Sequence, residues 1–191
     1  MTKEDAILSA ATRRLNEDPT VSMSELAQAI GISRATLYRH IATREALLHK
    51  VDLRTMTRWE RIHEEIGLAD ATATGDSAVL AATLRSLMRG YLDTIDEYGF
   101  MLTEHFLTGQ PDMMAWVDRL EERELAFIAA AQRAGVLRAE LPPRSISDAL
   151  YGLLLGTRDG LRRGNFARRD AEELLATMFL RGAGAPVRGT R

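Results

Sequence analysis

Residues 22–48 read SMSELAQAIGISRATLYRHIATREALL, a pattern typical of two short helices joined by a tight turn. Ser22 followed by Glu25 forms a capping-box pattern, which predicts that the first of these helices begins here. Gly31 ends that helix, because glycine readily adopts the positive φ that a sharp turn requires. Ser33 then stands where the N-cap of a second helix is expected.

The apolar residues of this stretch fall where two crossing helices must pack against a preceding one. Ala27 supplies the small side chain that a close crossing requires, and a preceding helix is predicted from about Lys3 to Asn16. Further apolar residues are placed to pin the two short helices: Leu26, Ile30, Ile32 and Leu37. We therefore predict a helix-turn-helix whose second helix runs through His40, followed by a long fourth helix capped by Thr43.

The same stretch resembles the signature of the tetracycline-repressor-type (TetR) family of transcriptional regulators. That signature reads Gly-Val-Ser, two variable residues, Thr-Leu-Tyr, one variable residue and His-Phe, followed by a Lys-Glu-x-Leu segment. The residues that match it here are Ile32-Ser33, Thr36-Leu37-Tyr38, His40-Ile41 and Arg44-Glu45-Ala46-Leu47. Ile41 in place of phenylalanine keeps an apolar side chain, and Arg44 in place of lysine keeps a cation. Beyond roughly the first 55 residues, the resemblance is one of helix number, helix lengths and the break from Gly135 to Pro143.

The resemblance implies an all-α fold of about nine helices. Residues 1–48 would form a three-helix DNA-binding domain, and residues 49–182 a helical ligand-binding and dimerisation domain. Residues 183–191 are Gly-rich and are expected to fray. We expect a cytoplasmic homodimer that binds a double-stranded DNA operator and responds to a small-molecule effector, with no cofactor.

The resemblance also implies roles for individual residues near the second short helix. Ser22, Thr36, Tyr38 and Arg44 match positions that contact the phosphate backbone, where hydroxyls and cations are suitable donors. Arg34, Ala35, Arg39 and His40 match positions that face base edges. Arginine can read guanine with two hydrogen bonds in the major groove, and alanine can contact a thymine methyl. Ser33 belongs to the same surface, although a capping role is favoured for it. For His40, base contact, backbone contact and packing remain open.

The charge distribution is consistent with DNA binding at one end of the chain. From Ser33 to Arg58 there are six basic residues and two acidic ones, a net charge of +4, whereas the whole chain carries −2. A local basic surface on an acidic body suits a protein that contacts phosphate in one place. The absence of cysteine excludes disulfides and thiolate metal sites. The longest stretch without charged residues, 149–157, is too short to span a membrane.

The remaining sequence has helical periodicity almost throughout. Helices are predicted at about 77–98, 112–134 and 144–163, with a shorter apolar element at 100–107 and a final helix after Asn165. The small, polar segment from Gly67 to Asp76 is expected to be a flexible loop.

Helix 144–163 contains glycines at every fourth position: Gly152, Gly156 and Gly160. A glycine inside a helix costs about 1 kcal/mol relative to alanine, so a close approach of another helix is the natural reason for three of them. The family resemblance assigns this helix and the last one to a dimeric four-helix bundle, and Leu153, Leu174 and Met178 are the other interface residues that we predict. Packing within one subunit is the alternative.

Methionine and aromatic residues are concentrated in the middle of the chain and are candidates to line an effector pocket, since methionine adapts to irregular cavities. The candidates are Met88, Tyr91, Phe100, Met101, His105, Phe106, Met113, Trp116, Phe127 and Tyr151. The alternative is that they form ordinary core. We expect a mostly apolar ligand that binds among the central helices and tilts the fourth helix, with Tyr91, His105 or Tyr151 as polar anchor.

The sequence contains no motif typical of an enzyme, and the scattered histidines His49, His63 and His105 do not have the spacing of a metal site. Glu121, Glu122 and Glu124 are interpreted as part of a charged helix surface. We therefore predict a DNA-binding transcriptional regulator, most simply an effector-responsive repressor. Two alternatives are a regulator without a small-molecule effector and, from another class, a helical enzyme or ligand carrier.

Overall fold

The computed structural model describes residues 2–98 and 111–185, and within these ranges the chain forms nine α-helices. They are α1 (Lys3–Glu17), α2 (Met23–Ala29), α3 (Arg34–His40), α4 (Arg44–Glu65), α5 (Leu68–Thr74), α6 (Ser77–Tyr98), α7 (Pro111–Arg133), α8 (Pro143–Arg162) and α9 (Arg168–Ala183). The all-α fold and the N-terminal helix-turn-helix are as predicted. The element predicted at 100–107 lies outside the described residues.

The N-terminal helices begin where local hydrogen bonding favours a start. At α2, Ser22 Oγ accepts the Glu25 amide and the Glu25 carboxylate accepts the Ser22 amide at 2.8 Å, so the predicted capping box is formed. Thr43 caps α4 by accepting the Ala46 amide at 3.1 Å. These bonds satisfy amides that have no partner within the helix.

A hydrophobic core joins α1, α2, α3 and the first half of α4. Leu26, Ala27 and Leu37 are buried, and so are four residues of α1: Ile7, Leu8, Ala11 and Leu15. Leu47 and Val51 extend this core along α4. Burying side chains of this size contributes roughly 1.5–3 kcal/mol each, which is enough to hold helices as short as seven residues in place.

The segment from Gly67 to Asp76 is not the flexible loop that its composition predicts, because it contains helix α5. Leu68 and Ala71 are buried one helical turn apart, and this burial favours the helix over an open loop. Gly67 and Gly75 flank α5, both with φ of +64°. These left-handed glycines separate α5 from α4 and α6, so the turns are at the ends of the segment.

The described residues belong to two compact units, each with its own internal contacts. Unit 1 comprises the described residues up to Arg58 and the described residues within Asp96–Met114. Unit 2 comprises Trp59–Ile95 and the described residues from Ala115 onward. The boundary between the units therefore falls inside α4, after Arg58. A domain boundary after residue 48 remains a prediction.

In unit 2, α4 and α6 approach each other closely at Gly90. A β-carbon placed there would lie 2.9 Å from Ile62 Cγ2, so only glycine fits without a shift of Ile62. Earlier in α6, Leu80, Leu84 and Leu87 are buried.

Helices α8 and α9 pack against each other in unit 2, and the three glycines of α8 have different surroundings. Gly160 is buried against the ring of Phe166 in the same chain. The close contact of Gly160 is therefore internal, as in the alternative of packing within one subunit, and its place at a dimer interface remains a prediction. Gly152 and Gly156 are exposed, and a β-carbon at either would meet nothing within 4 Å.

One carboxylate of α4 is buried in the core of unit 1. Asp52 is 1% exposed, and neither of its side-chain oxygens has a hydrogen-bond partner in the described structure. Burial raises the pKa of Asp52 to about 6, and the charge of nearby His49 opposes this rise. The folded protein therefore binds a proton at Asp52 more tightly than the unfolded chain does.

We predict that Asp52 destabilises the folded protein as pH rises from about 4 through about 6, because ionisation is disfavoured only in the folded state. At pH 7.5 the penalty is on the order of 3 kcal/mol. Between pH 5 and pH 7.5 the wild-type protein should lose unfolding free energy, measured with urea, and Asp52→Asn should remove most of that loss. The exposed Asp118→Asn is the control and should keep the wild-type pH dependence. If Asp52→Asn keeps it too, the assignment to Asp52 is wrong.

Candidate nucleic-acid interface and effector site

Helix α3 is held by the turn before it and by one buried side chain. Gly31 has a φ of +73°, and the Ile32 amide donates to the Ala27 carbonyl at 3.0 Å, which closes the turn. Leu37 is fully buried beneath α3. The opposite face of the helix therefore points to solvent.

The exposed face of α3 consists of Arg34, Ala35, Tyr38 and Arg39. Their spacing, i, i+1, i+4 and i+5, puts them side by side on one helix surface. Tyr38 is 45% exposed although it is aromatic, which leaves its hydroxyl accessible. Neither Arg34 nor Arg39 forms an ion pair with any other described residue. Two free guanidinium groups and one phenol are suited to contact DNA.

Two hydroxyls predicted to contact DNA are engaged at the start of α3. Ser33 Oγ accepts the Thr36 amide at 3.1 Å and lies 2.8 Å from Thr36 Oγ1. Ser33 is therefore the helix cap, as favoured by the sequence, and Thr36 is half-buried beside it. His40 is half-buried in the last turn, and its role stays open.

Arg44 has a structural role that the sequence did not indicate. Its guanidinium donates to the backbone carbonyls of Pro19 and Val21, in the loop before α2. Arginine has five N–H donors, so this arrangement leaves others for a phosphate. The phosphate contact of Arg44 remains a prediction, and the contacts to Pro19 and Val21 identify a second function.

The local charge of +4 overstates the positive charge available to DNA. Lys50 forms an ion pair with Glu4 of α1 at 2.6 Å, and Arg54 donates to the Asp5 carbonyl at 3.3 Å. Both cations therefore tie α4 to α1. Arg34 and Arg39 are the cations of this segment with the clearest access to a ligand.

In unit 2, four side chains form hydrogen bonds with one another in the interior, and we call them the polar cluster: Trp59, His63, Tyr91 and Glu124. Trp59 Nε1 donates to the Tyr91 hydroxyl at 2.7 Å, and His63 Nε2 lies 2.8 Å from that hydroxyl. Tyr91 donates to Glu124 Oε2 at 2.8 Å. Burial and the Glu124 carboxylate hold the pKa of Tyr91 well above its ordinary value, so the phenol keeps its proton.

The interpretation of Glu124 as part of a charged helix surface is wrong, because this side chain is only 5% exposed. Glu124 lies on the same face of α7 as Leu120 and Phe127, both fully buried. This spacing could have indicated the burial of Glu124 from the sequence, because a glutamate at the helical spacing of core residues must point inward. His63, dismissed as scattered, is likewise buried.

A cleft of about 500 Å³ adjoins the polar cluster. His63 belongs to both, and Glu64, Gly67, Leu68, Asp70 and Arg123 also line the cleft. A volume of this size accommodates a drug-sized molecule. None of the six described candidates for an effector pocket lines this cleft, although Tyr91 contacts His63 in its wall.

The predicted pocket residues lie in several places. Met88, Tyr91 and Phe127 belong to unit 2, where Met88 and Phe127 are buried core, while Met113 is buried in unit 1. Tyr151 is 39% exposed on α8, so its environment does not support a pocket role. Trp116 is half-buried, and its Nε1 atom has no hydrogen-bond partner in the described structure. Four candidates lie outside the described residues: Phe100, Met101, His105 and Phe106.

The described residues contain no group of three or more histidine or acidic side chains arranged to hold a metal ion. Of the helices whose structure is given, none is both long and apolar enough to cross a bilayer.

Comparisons with known proteins agree with the geometry of the helix-turn-helix. Residues 8–55 match a family model described as an HTH domain. The chain is 26% identical over 188 residues to the HTH-type transcriptional regulator NfxB of Pseudomonas aeruginosa, covering 97% of this chain and 96% of NfxB. It is 28% identical over 162 residues to the HTH-type transcriptional repressor LfrR of Mycolicibacterium smegmatis, covering 83% of this chain and 80% of LfrR.

The fold matches a solved structure over nearly its full length. The TetR-family regulator PfmR of Thermus thermophilus superposes with a TM-score of 0.68 at 23% identity, covering 99% of this chain and all of PfmR. The chain therefore shares its all-α fold, with an N-terminal helix-turn-helix and a helical C-terminal part, with a TetR-family regulator. Along most of its length it is similar to HTH-type transcriptional regulators.

We predict that Arg39→Ala weakens binding to the preferred DNA by about 1–3 kcal/mol and relaxes the preference at one or two base pairs, because a base-reading guanidinium is lost. Arg34→Ala should act in the same way at different base pairs. Selection from a random DNA pool, followed by affinity measurement at fixed salt, tests both variants.

The matched control is Arg133→Ala, which removes an exposed arginine from α7 in unit 2. It should select the wild-type sequence. A wild-type sequence preference in Arg39→Ala would contradict base reading by this residue.

Proposed function

We propose that this chain is a dimeric, sequence-specific repressor that binds a palindromic operator through α3 and is released by a small, mostly apolar effector. The exposed face of α3 carries this proposal, because it combines two unpaired guanidinium groups with an accessible phenol over the buried Leu37. In this proposal Arg34 and Arg39 read base edges and Ala35 contacts a thymine methyl. Tyr38 holds the phosphate backbone, assisted by the remaining donors of Arg44.

A dimer follows from the size of the reading element. Helix α3 has seven residues, which contact too few base pairs to specify one site in a genome. Two copies related by a two-fold axis would read an inverted repeat, with half-sites about one helical turn of DNA or a multiple apart.

The surface formed by α8 and α9 is the proposed dimer interface. Gly152 and Gly156 each cost about 1 kcal/mol relative to alanine inside a helix, and no residue in the described part of the chain lies near enough to require them. Contact with a helix of the second subunit would explain both. Met178 is 53% exposed, and Leu153 and Leu174 are half-buried, so burial of these side chains in a partner would stabilise the assembly.

We predict that Gly156→Leu disrupts the dimer, because a leucine on this open surface would separate the two copies of α8. Light scattering should show monomer or aggregate, and binding to an inverted repeat should fall to the level of a single half-site. Ala115→Leu, which adds one carbon atom fewer at an exposed position of α7, is the control and should remain dimeric. A stable Gly156→Leu dimer with wild-type operator affinity would place the interface elsewhere.

The effector part of the proposal is supported by the cleft and the polar cluster in unit 2. A solved structure of LfrR, which matches this fold with a TM-score of 0.66, contains proflavine. Helix α4 contains both Arg44, which holds the loop before α2, and His63, which lines the cleft. A ligand that tilts α4 would change the separation of the two α3 helices in a dimer. Because the spacing of operator half-sites is fixed, both half-sites would lose contacts.

We predict that effector and operator weaken each other's binding by the same factor, typically about 5- to 150-fold. A panel of small aromatic compounds, neutral and cationic and too small to intercalate, is titrated calorimetrically into the free dimer and into the operator-bound dimer. Equal affinities for the two forms would contradict release by the effector. A panel without any binder would favour the alternative, a regulator of the same DNA-binding type that has no small-molecule effector.

A further inference from the structure

Hydrogen bonds around the Tyr91 hydroxyl hold the polar cluster together. Tyr91 has one proton and donates it to Glu124 Oε2 at 2.8 Å. Trp59 Nε1 lies within donor distance of both the Tyr91 hydroxyl, at 2.7 Å, and His63 Nε2, at 3.1 Å. His63 Nε2 is in turn 2.8 Å from the Tyr91 hydroxyl.

This arrangement leaves the charge of Glu124 incompletely compensated. Tyr91 and Trp59 are neutral, and the nearest group able to become cationic is His63, whose Nε2 atom lies 3.7 Å from Glu124 Oε2. His63 Nδ1 is itself buried without a hydrogen-bond partner among the described residues. The polar cluster therefore contains groups whose burial is unfavourable without a further partner.

The cleft beside His63 has a negative balance of charge. Glu64 and Asp70 line it. Arg123 also lines it, but this cation forms an ion pair with Glu60 at 3.1 Å. With Glu124 behind His63, the field in the cleft favours a cation. The walls also contain apolar side chains, such as Leu68 and Ala126.

We propose that this cleft binds an organic ammonium compound with an apolar body, and that Glu124 supplies the countercharge across the polar cluster. The titratable groups around the ligand are then His63, Tyr91, Glu124, Glu64, Asp70 and the Arg123–Glu60 pair. This proposal names the effector class of the proposed function and rests on that function.

Two probes of the same shape, one charged and one neutral, show how much of the affinity depends on the positive charge. The first is 4-hydroxyphenyltrimethylammonium, and the second is 4-tert-butylphenol, in which a carbon atom replaces the charged nitrogen. Both are titrated by calorimetry into the full-length protein without DNA. We expect the cation to bind at least tenfold more tightly than its neutral counterpart. Equal affinities, or no binding of either probe to the folded protein, would overturn the proposal.

Two variants test the countercharge. Glu124→Gln should reduce the advantage of the cation by tenfold or more, because it removes the charge while keeping the shape and an oxygen that can accept from Tyr91. Glu122→Gln removes an exposed charge two residues away and should keep the wild-type ratio of affinities. A wild-type ratio in Glu124→Gln, with wild-type helicity by circular dichroism, would contradict the role of Glu124.

Because these measurements use the protein without operator, they are independent of whether the ligand releases DNA. A cation that binds the cleft but leaves operator affinity unchanged would contradict only the proposed release by effector.

Discussion

The burial of Leu37 is the interaction on which the DNA-binding function depends. One side chain holds α3 against the core, and the helix is so short that this contact determines which residues face outward. The Gly31 turn sets the direction of α3, and Arg44 fixes the loop before α2 through two backbone carbonyls. Loss of any of these contacts would change the position of Arg34 and Arg39 without touching either residue.

Helix α4 connects the two functions within one continuous element. At 22 residues it is roughly 33 Å long, and its hydrogen-bonded backbone resists local bending. Its first turn carries Arg44, and its last turns carry His63 and Glu64. A displacement imposed on one end of a stiff helix is therefore transmitted along its axis. This physical continuity, rather than a chain of individual side-chain contacts, is the simplest basis for the coupling that we propose between ligand and DNA.

The parts of the fold that could be predicted from sequence are those set by local rules. The caps at Ser22, Ser33 and Thr43 and the turn at Gly31 depend on neighbouring residues only. Other features depend on partners distant in sequence. Helix α5 forms because Leu68 and Ala71 are buried, Gly160 is required by Phe166, and Glu124 points inward toward Tyr91. Spacing alone cannot separate Gly160 from Gly156, since the two occupy the same repeat and differ only in what surrounds them.

The positions that violate general rules of stability coincide with the surfaces proposed to bind partners. Helix α8 is weakened by glycines that no described residue requires. Likewise, replacing a buried set of polar side chains, such as the polar cluster, with apolar side chains is often neutral or stabilising. A sequence optimised for stability alone would place alanine at Gly152 and apolar side chains around Glu124. Such costs are expected where a second subunit or a ligand completes the interactions. The unfavourable residues of this chain are therefore best explained by a bound state, in which a helix contacts the glycines and a cation faces the glutamate.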